Sequence, residues 1–378
     1  MGFAEDNTYD TTLLFPVLFL VGIGIVMVYS ASSAIAHNTI ENSYFFLKKQ
    51  ALFALAGTVV MLLCRRIPYR LYRSLTYPAL LAAIVLLAAI HLTGFGYSAG
   101  GSARWLRFGS VNFQPSEFAR LALIFYLAYS LDKKQGRLQR FAIGFVPHAV
   151  VLGVLAGLIL AQPDFGSVVI LGALTWIMLF VGGVRLRHLL GTMLLILPAL
   201  GYHMIHAEYR LKRLLSFLDP WKYATDEGYQ IIHSWMAFGT GGLWGTGIGQ
   251  GYQKLFYLPE PHTDFIFSVV GEELGLAGVT VTLILYGLIL WRGIIVARRA
   301  PDTYGTLLAF GLTAGITLQV CVNMGVSLGL LPTKGLTLPF LSYGGTSLLV
   351  NMASVGILMN IAGAKPAAAV RERTRAKR

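Results

Sequence analysis

The chain reads as an all-α, polytopic membrane protein with ten transmembrane helices, and three observations carry that reading. Only 12% of its 378 residues are charged and 56% are hydrophobic, against roughly 25% charged in soluble globular domains. The mean hydropathy is +0.65, and the apolar residues gather in blocks about 17 to 25 long, the length a helix needs to cross a bilayer core of ~30 Å. Lys and Arg fall mostly in short segments between alternate blocks. That placement makes the net charge of +13 a topology signal and not a nucleic-acid surface.

Taken in order, the expected spans are Leu13–Ser33, Ala51–Cys64, Tyr77–Thr93, Pro115–Leu131, Phe141–Leu160, Gly166–Val181, Leu189–Ile205, Phe265–Trp291, Thr306–Leu328 and Tyr343–Ile361. The first run is too long for the apolar core of a cleavable signal and follows acidic residues Glu5, Asp6 and Asp10. Cys64 and Cys321 both fall inside spans and carry no information on redox compartment. With the N-terminus inside, cytoplasmic segments hold Arg65, Arg66, Arg70 and Arg73, then Lys133, Lys134, Arg137 and Arg140. Arg185, Arg187, Arg292, Arg298 and Arg299 follow, and the tail is basic. The short opposite loops hold Lys48, Lys49, Arg104, Arg107 and Lys334. Both termini are therefore expected in the cytoplasm. Residues 1–10 form a short N-terminal segment, 11–361 the membrane domain and 362–378 a basic tail that anchors topology or meets lipid or a partner.

One external loop, 205–263 between spans seven and eight, is too long for a turn, and long loops are usually functional. Its stretch Gly228–Phe238 has apolar residues at helical spacing and reads as an amphipathic helix on the outer interface. A second external segment, Gly94–Gln114, carries Arg104-Trp105, a pair suited to an interface and able to grip an anionic headgroup.

Charged groups at a membrane boundary point to function, and Leu258–Gly275 sets four carboxylates at the mouth of an apolar segment. Asp264 follows Pro259 and Pro261 and precedes Phe265-Ile266-Phe267. Partial desolvation there raises a carboxylate's pKa and suits it to general-base work; the alternative is a helix cap with Thr263. Glu272 and Glu273 lie about two turns deeper, where they can pair with cations. Glu117 and Arg120, at i, i+3, can pair on one helix face. Asp164 sits in the turn Gln162-Pro163-Asp164-Phe165-Gly166 as a ligand or a plain turn acid. Gly245–Gly251 weakly resembles a phosphate-cradling loop whose backbone N–H groups can approach a diphosphate. Lys334 is the lone cation of the last external loop. Together these describe an external cleft for a lipid-linked anionic substrate.

The motifs themselves resemble a known family. Gly245–Gly251 with Gln253-Lys254-Leu255, Leu258–Phe267, Phe113-Gln114-Pro115-Ser116-Glu117, Gln162–Gly166 and Leu338–Ser347 are similar to the signatures of the SEDS membrane proteins, which include FtsW, RodA and SpoVE. The likeness runs from Thr11 to Ile361, and Leu331–Leu336 with its lysine is closer to the division branch than to the elongation branch. The resemblance implies ten spans and a peptidoglycan glycosyltransferase that polymerises lipid II outside the bacterial cytoplasmic membrane, at the division septum. It also implies a class B penicillin-binding transpeptidase partner among other divisome proteins. The family's essential aspartate falls on Asp264, and the acid of its Gln-Pro-Ser-Glu motif falls on Glu117.

On that footing Asp264 accepts the proton of a sugar hydroxyl, and the leaving diphosphate needs neutralising charge from Arg104, Lys334, Arg210 or a divalent cation, Mg or Mn. Glu117, Arg120 and Asp164 join them as expected substrate-side residues, and no organic cofactor is expected. A lipid flippase would want more polar groups deep in the spans than Gln319 and Asn323; a non-catalytic scaffold would leave Asp264 a cap.

Overall fold

The computed structural model describes residues 10–92, 96–99, 102–109, 111–205, 208–226, 228–255 and 257–364. Most of the expected basic tail and of the N-terminal segment lies outside these. All ten apolar segments fall on helices. In chain order they are α1 (Thr11–Ile40) and α2 (Phe45–Arg66), then after the short α3 (Leu71–Ser74) α4 (Thr76–Leu92) and α5 (Pro115–Lys133). The fifth segment is divided into α6 (Phe141–Gly144) and α7 (Val146–Leu160), followed by α8 (Phe165–Val181) and α9 (Leu186–Ile205). The long connection carries α10 (Glu208–Leu218) and α11 (Tyr229–Gly241), and the chain ends in α12 (Ile266–Arg299), α13 (Thr303–Ser327) and α14 (Gly345–Gly363). Among the described residues, six helical stretches are long and apolar enough to cross a membrane, α6 and α7 counting together as one, and α4 and α8 add shorter apolar stretches. The protein is a predominantly helical, multi-pass membrane protein.

One part departs from the all-α expectation. The segment after α4 forms a three-stranded antiparallel meander, β1 (Gly96–Ala99), β2 (Ser102–Phe108) and β3 (Val111–Phe113), in the order β1-β2-β3. Leu106 stands opposite both Gly96 and Phe113. Pairing lets a segment outside the helices satisfy its own backbone groups. Tyr97 pairs with Trp105 and Ser98 with Ala103, so Arg104 is the extra, bulged residue of β2, where regular alternation is interrupted; beyond it Leu106 is buried and Arg107 exposed.

Helices α13 and α14 are the most buried of the long apolar helices, and α5, α8, α12 and α14 pack on α13. Close approach of backbones holds α14 to α2. A Cβ at Gly356 would collide with the Met61 carbonyl oxygen, so only glycine allows that spacing. The arginine-rich ends of the helices meet at one end of the bundle. There Arg73 pairs with Asp132 at 3.0 Å, Arg70 with Asp302 at 3.5 Å and Arg292 with Asp10 at 2.9 Å. The opposite end gathers the meander, the 162–166 turn, α10, α11 and the segment 331–343.

Candidate active site

The segment that enters α12 is pinned by its backbone at three consecutive residues. Tyr343 N–H donates to the His262 carbonyl at 2.9 Å, Ser342 Oγ to the Thr263 carbonyl at 2.6 Å, and Asn323 Nδ2 to the Asp264 carbonyl at 2.9 Å. The same Asn323 amide donates to Leu336 O at 2.6 Å, so one side chain of α13 ties the Asp264 segment to the Lys334 segment. His262 is wedged between Phe46 and Tyr343, with ring centroids 4.6 and 5.7 Å away. Its burial depresses the imidazole pKa, against an upward pull from Glu260.

With its main chain fixed, Asp264 keeps its carboxylate unspent on helix capping: the N-cap position of α12 falls on Phe265, and no side chain caps the helix there. The residue retains partial exposure, yet loss of water around it is the largest influence on its acidity. That loss and the charge of Glu260 push its pKa up to about 7, while Arg104, a hydrogen bond from Thr263, and Arg213 pull it back. Gly335, itself exposed, sits against it. A Cβ there would lie 3.1 Å from Asp264 Oδ2 and 3.5 Å from Arg104 Nη1, so the absent side chain leaves room beside both groups. That gap between a carboxylate and a cation is where a reacting atom can sit.

The cations expected from the sequence are partly assembled around this gap. Arg104 donates to the Pro163 carbonyl at 3.2 Å and approaches Asp164 Oδ1 at 3.9 Å. Asp164 serves mainly as the cap of α8, accepting from Ser167 N–H at 3.2 Å and Ser167 Oγ at 2.6 Å. Lys334 Nζ lies 4.2 Å from the Phe165 ring centroid. Burial lowers its pKa to about 8, Asp164 raising it and Arg213 lowering it further. The side chain of Arg210 lies outside the described residues. Its neighbour on α10, Arg213, was not singled out from sequence, yet it donates to Thr333 O at 3.4 Å and reaches both Asp264 and Lys334 electrostatically. Its i, i+3 spacing from Arg210 was the available signal.

Glu117 and Arg120, expected at the substrate, are both buried and committed to one another at 2.8 Å. Arg120 also donates to Gln319 Oε1 and, at 3.0 Å, to Asn351 Oδ1. Gln319 in turn donates to Glu117 Oε1 at 3.3 Å and Thr337 O at 3.1 Å. This network ties α5, α13 and α14 to the segment that follows Lys334. Gln319 and Asn323, read from sequence as isolated mid-span polar groups, stand one turn apart on α13 and hold two parts of one loop.

The glycine-rich loop does not cradle a phosphate with its described backbone donors; it wraps two carboxylates. Tyr252 N–H donates to Glu272 Oε1 at 2.7 Å, Gln253 N–H to the same oxygen at 3.1 Å, and Gly249 N–H to Glu273 Oε2 at 3.0 Å. Buried Lys254 pairs with Glu273 at 2.5 Å, and Ser30 of α1 donates to both its oxygens at 2.7 and 2.8 Å. The cation for Glu273 therefore comes from the loop itself and not from a neighbouring span. Among the described residues no three His, Cys, Asp or Glu side chains cluster for a metal.

Residues 11–366 match the FtsW/RodA/SpoVE family, described as cell cycle protein. The chain is 47% identical over 361 residues to the probable peptidoglycan glycosyltransferase FtsW of Geobacter metallireducens, covering 96% of each chain. It is 41% identical to the stage V sporulation protein E of Bacillus subtilis, covering 94% of this chain and 98% of the other. Among solved structures it superposes on a chain of a peptidoglycan synthase complex described as coordinating polymerization and crosslinking. The TM-score is 0.78 at 30% identity, over 94% of this chain and 98% of that one. The rod shape determining protein RodA of Thermus thermophilus gives a TM-score of 0.69 at 29% identity, over 94% and 97%.

Proposed function

Because the chain belongs to the FtsW/RodA/SpoVE family, we propose that the gap beside Gly335 is its glycosyl-transfer site and that Asp264 is the base. The protein is a septal peptidoglycan glycosyltransferase. The rest of this reading concerns how it works. The observation that carries it is the contrast within the site: a fixed main chain at residues 262–264, and a desolvated carboxylate free to take a proton.

In this reading Asp264 removes the proton from the 4-hydroxyl of the GlcNAc on an incoming lipid II. That oxygen forms a bond to C1 of the terminal MurNAc on the growing strand, the C1–O bond to undecaprenyl diphosphate breaks with inversion, and Asp264 later yields its proton to water. A base whose pKa lies near the working pH is best suited to this step. Negative charge grows on the diphosphate as the bond breaks, and Arg104, Lys334 and Arg213 are the cations positioned to offset it. A divalent cation would use the carboxylates nearest these cations, Asp164 and Asp264, together with substrate oxygens, a donor set of the kind Mg²⁺ accepts. It would add positive charge beside the leaving group. Glu117 and Arg120 act as supports for the floor of the site.

The topology follows the basic residues: ten spans, both termini inside, and the Asp264 end of the bundle outside the membrane. A class B penicillin-binding transpeptidase is the proposed partner, in keeping with the synthase complex among its structural relatives. Purified protein, with and without that partner, given labelled lipid II in proteoliposomes, should make glycan polymer, and the Asp264→Asn protein should make at least about a hundredfold less. Substantial polymer from Asp264→Asn would remove the base assignment. Lipid II translocation without polymer would point to a flippase, and neither outcome with the partner present would point to a scaffold.

A further inference from the structure

The loop that follows α11 meets α12 where that helix is broken. Gly275 has φ 62° and ψ −163°, which interrupts the run of intrahelical hydrogen bonds and frees backbone groups on both sides. The loop takes up four of them. Leu276 N–H donates to Gly242 O at 2.9 Å and Ala277 N–H to Leu243 O at 3.1 Å, while Thr246 and Gly247 N–H donate to the carbonyls of Glu272 and Glu273, both at 3.0 Å. Only glycines allow this crossing, since a Cβ at Gly245 would strike the Glu273 carbonyl oxygen. In water such groups would need no protein partner. In or beside hydrocarbon they must all be satisfied internally.

The outer face of the same crossing is apolar. Leu243 is 65% exposed and Trp244 84% exposed, beside Leu276 at 54%, and Gly241–Gly251 contains no charged residue. This face runs directly into the exposed stripe of α12 formed by Leu283, Ile284, Leu288, Trp291 and Ile294, the stripe a membrane-spanning helix turns toward lipid. The level of the crossing also fits. From Leu276 the helix runs to Arg292, paired with Asp10, and on to Arg298 and Arg299, lengths of roughly 24 and 33 Å at ~1.5 Å per residue that bracket the ~30 Å of a hydrocarbon core. With those arginines among the headgroups of one leaflet, Leu276 and Trp244 reach the boundary of the other, where tryptophan is enriched.

We propose that Leu243 and Trp244 form a lipid anchor, inserted at the boundary between headgroups and acyl chains of the leaflet on the Asp264 side. Its occupant is the bilayer itself. Because the loop also holds Glu272 and Glu273 through its backbone N–H groups, the anchor fixes the height of the first turns of α12, and so of Asp264, above the hydrocarbon.

The test uses the full chain, without partner, in vesicles of phosphatidylethanolamine and phosphatidylglycerol. The emission lost on Trp244→Phe isolates the signal of this residue, and exposed Trp221, in the long loop, provides a comparison through Trp221→Phe. The Trp244 component should be blue-shifted, lose most of its intensity to lipids brominated near the headgroup end of the chain, less to lipids brominated near the chain terminus, and little to aqueous iodide. Quenching by iodide but not by brominated lipid would overturn the proposal, because the loop would then face water. Quenching by neither would overturn it too, because protein, such as a second copy of the chain, would then cover the residue.

Discussion

Asp264 and the pair Glu272–Glu273 stand about two helical turns apart in one short segment, and the protein treats them in opposite ways. Around the pair, the described structure supplies Lys254, Ser30 and three backbone N–H groups, and both glutamates are fully buried. Around Asp264 it fixes the carbonyls on the main chain and leaves the carboxylate in a desolvated gap. A buried carboxylate whose oxygens are bonded on several sides is a structural element, and one left partly exposed beside a gap with its pKa raised to about 7 is suited to exchange a proton. Like groups within one short segment thus divide into structural supports and the proposed base according to which atoms the fold satisfies.

The largest effect that can break this comparison is on turnover. Asp264→Asn should lower polymerisation by about 10²- to 10⁴-fold, the usual span for loss of a general base, without loss of fold. The sign of the stability change follows from the raised pKa. An unfolded aspartate titrates near ~3.9 and the folded one near about 7, so its favourable contribution is present below about pH 4 and lost as pH rises to about 7. At pH 8 the asparagine variant should therefore melt no lower than the parent. A clear drop in its thermal midpoint would make Asp264 a structural acid like its neighbours.

For the pair the order reverses. Lys254→Met leaves Glu273 buried without its cation and should destabilise by roughly 3 to 5 kcal/mol, read as a lowered midpoint and poor recovery from the membrane. Replacing both, Lys254→Met with Glu273→Met, should restore most of that stability, since an apolar pair of similar volume is often as stable. If the double variant folds but cannot polymerise, the pair does more than support.

Asn323 sharpens the comparison from the side of the fixed backbone. Asn323→Leu leaves the carbonyls of Asp264 and Leu336 without their shared donor, at about 1 to 3 kcal/mol for each buried group left unpaired. Part of that cost should appear as misplacement of the base. We expect kcat to fall about tenfold, the equivalent of ~1.4 kcal/mol, with KM little changed. A change confined to KM would place Asn323 with substrate binding.

The helices were legible because apolar blocks of spanning length have few other uses, and Asp264 because a carboxylate set directly before Phe-Ile-Phe is conspicuous. The i, i+3 spacing of Glu117 and Arg120 likewise announced their pairing. What stayed hidden depends on distant contacts. Asn323 stands out as a polar residue within a span, but its partner is a carbonyl 59 residues away, and nothing local marks that. The glycine-rich loop suggested anions correctly but not whose, because its partners are set by a helix break at one glycine among several. The meander was missed since its strands are short and its alternation is blurred by glycine and arginine. Which carboxylate is spent and which is free is a property of tertiary contacts alone.

The smallest predicted effect concerns the pH profile, and it tests the electrostatic half of the comparison directly. Activity should rise through about pH 7 as Asp264 loses its proton and fall above about 8 as Lys334 loses its charge. Glu260 raises the acidic limb, so Glu260→Gln should move that limb to lower pH; Arg213→Ala should move it higher, because Arg213 pulls the Asp264 pKa down. Glu260 is exposed, so its effect is screened and should shrink as ionic strength rises and the Debye length falls below about 10 Å. Lys334→Arg should remove the alkaline limb without moving the acidic one, as guanidinium stays charged throughout. If all three variants left the limbs in place, the profile would belong to substrate or product release, and the raised pKa of Asp264 would have no part in the rate.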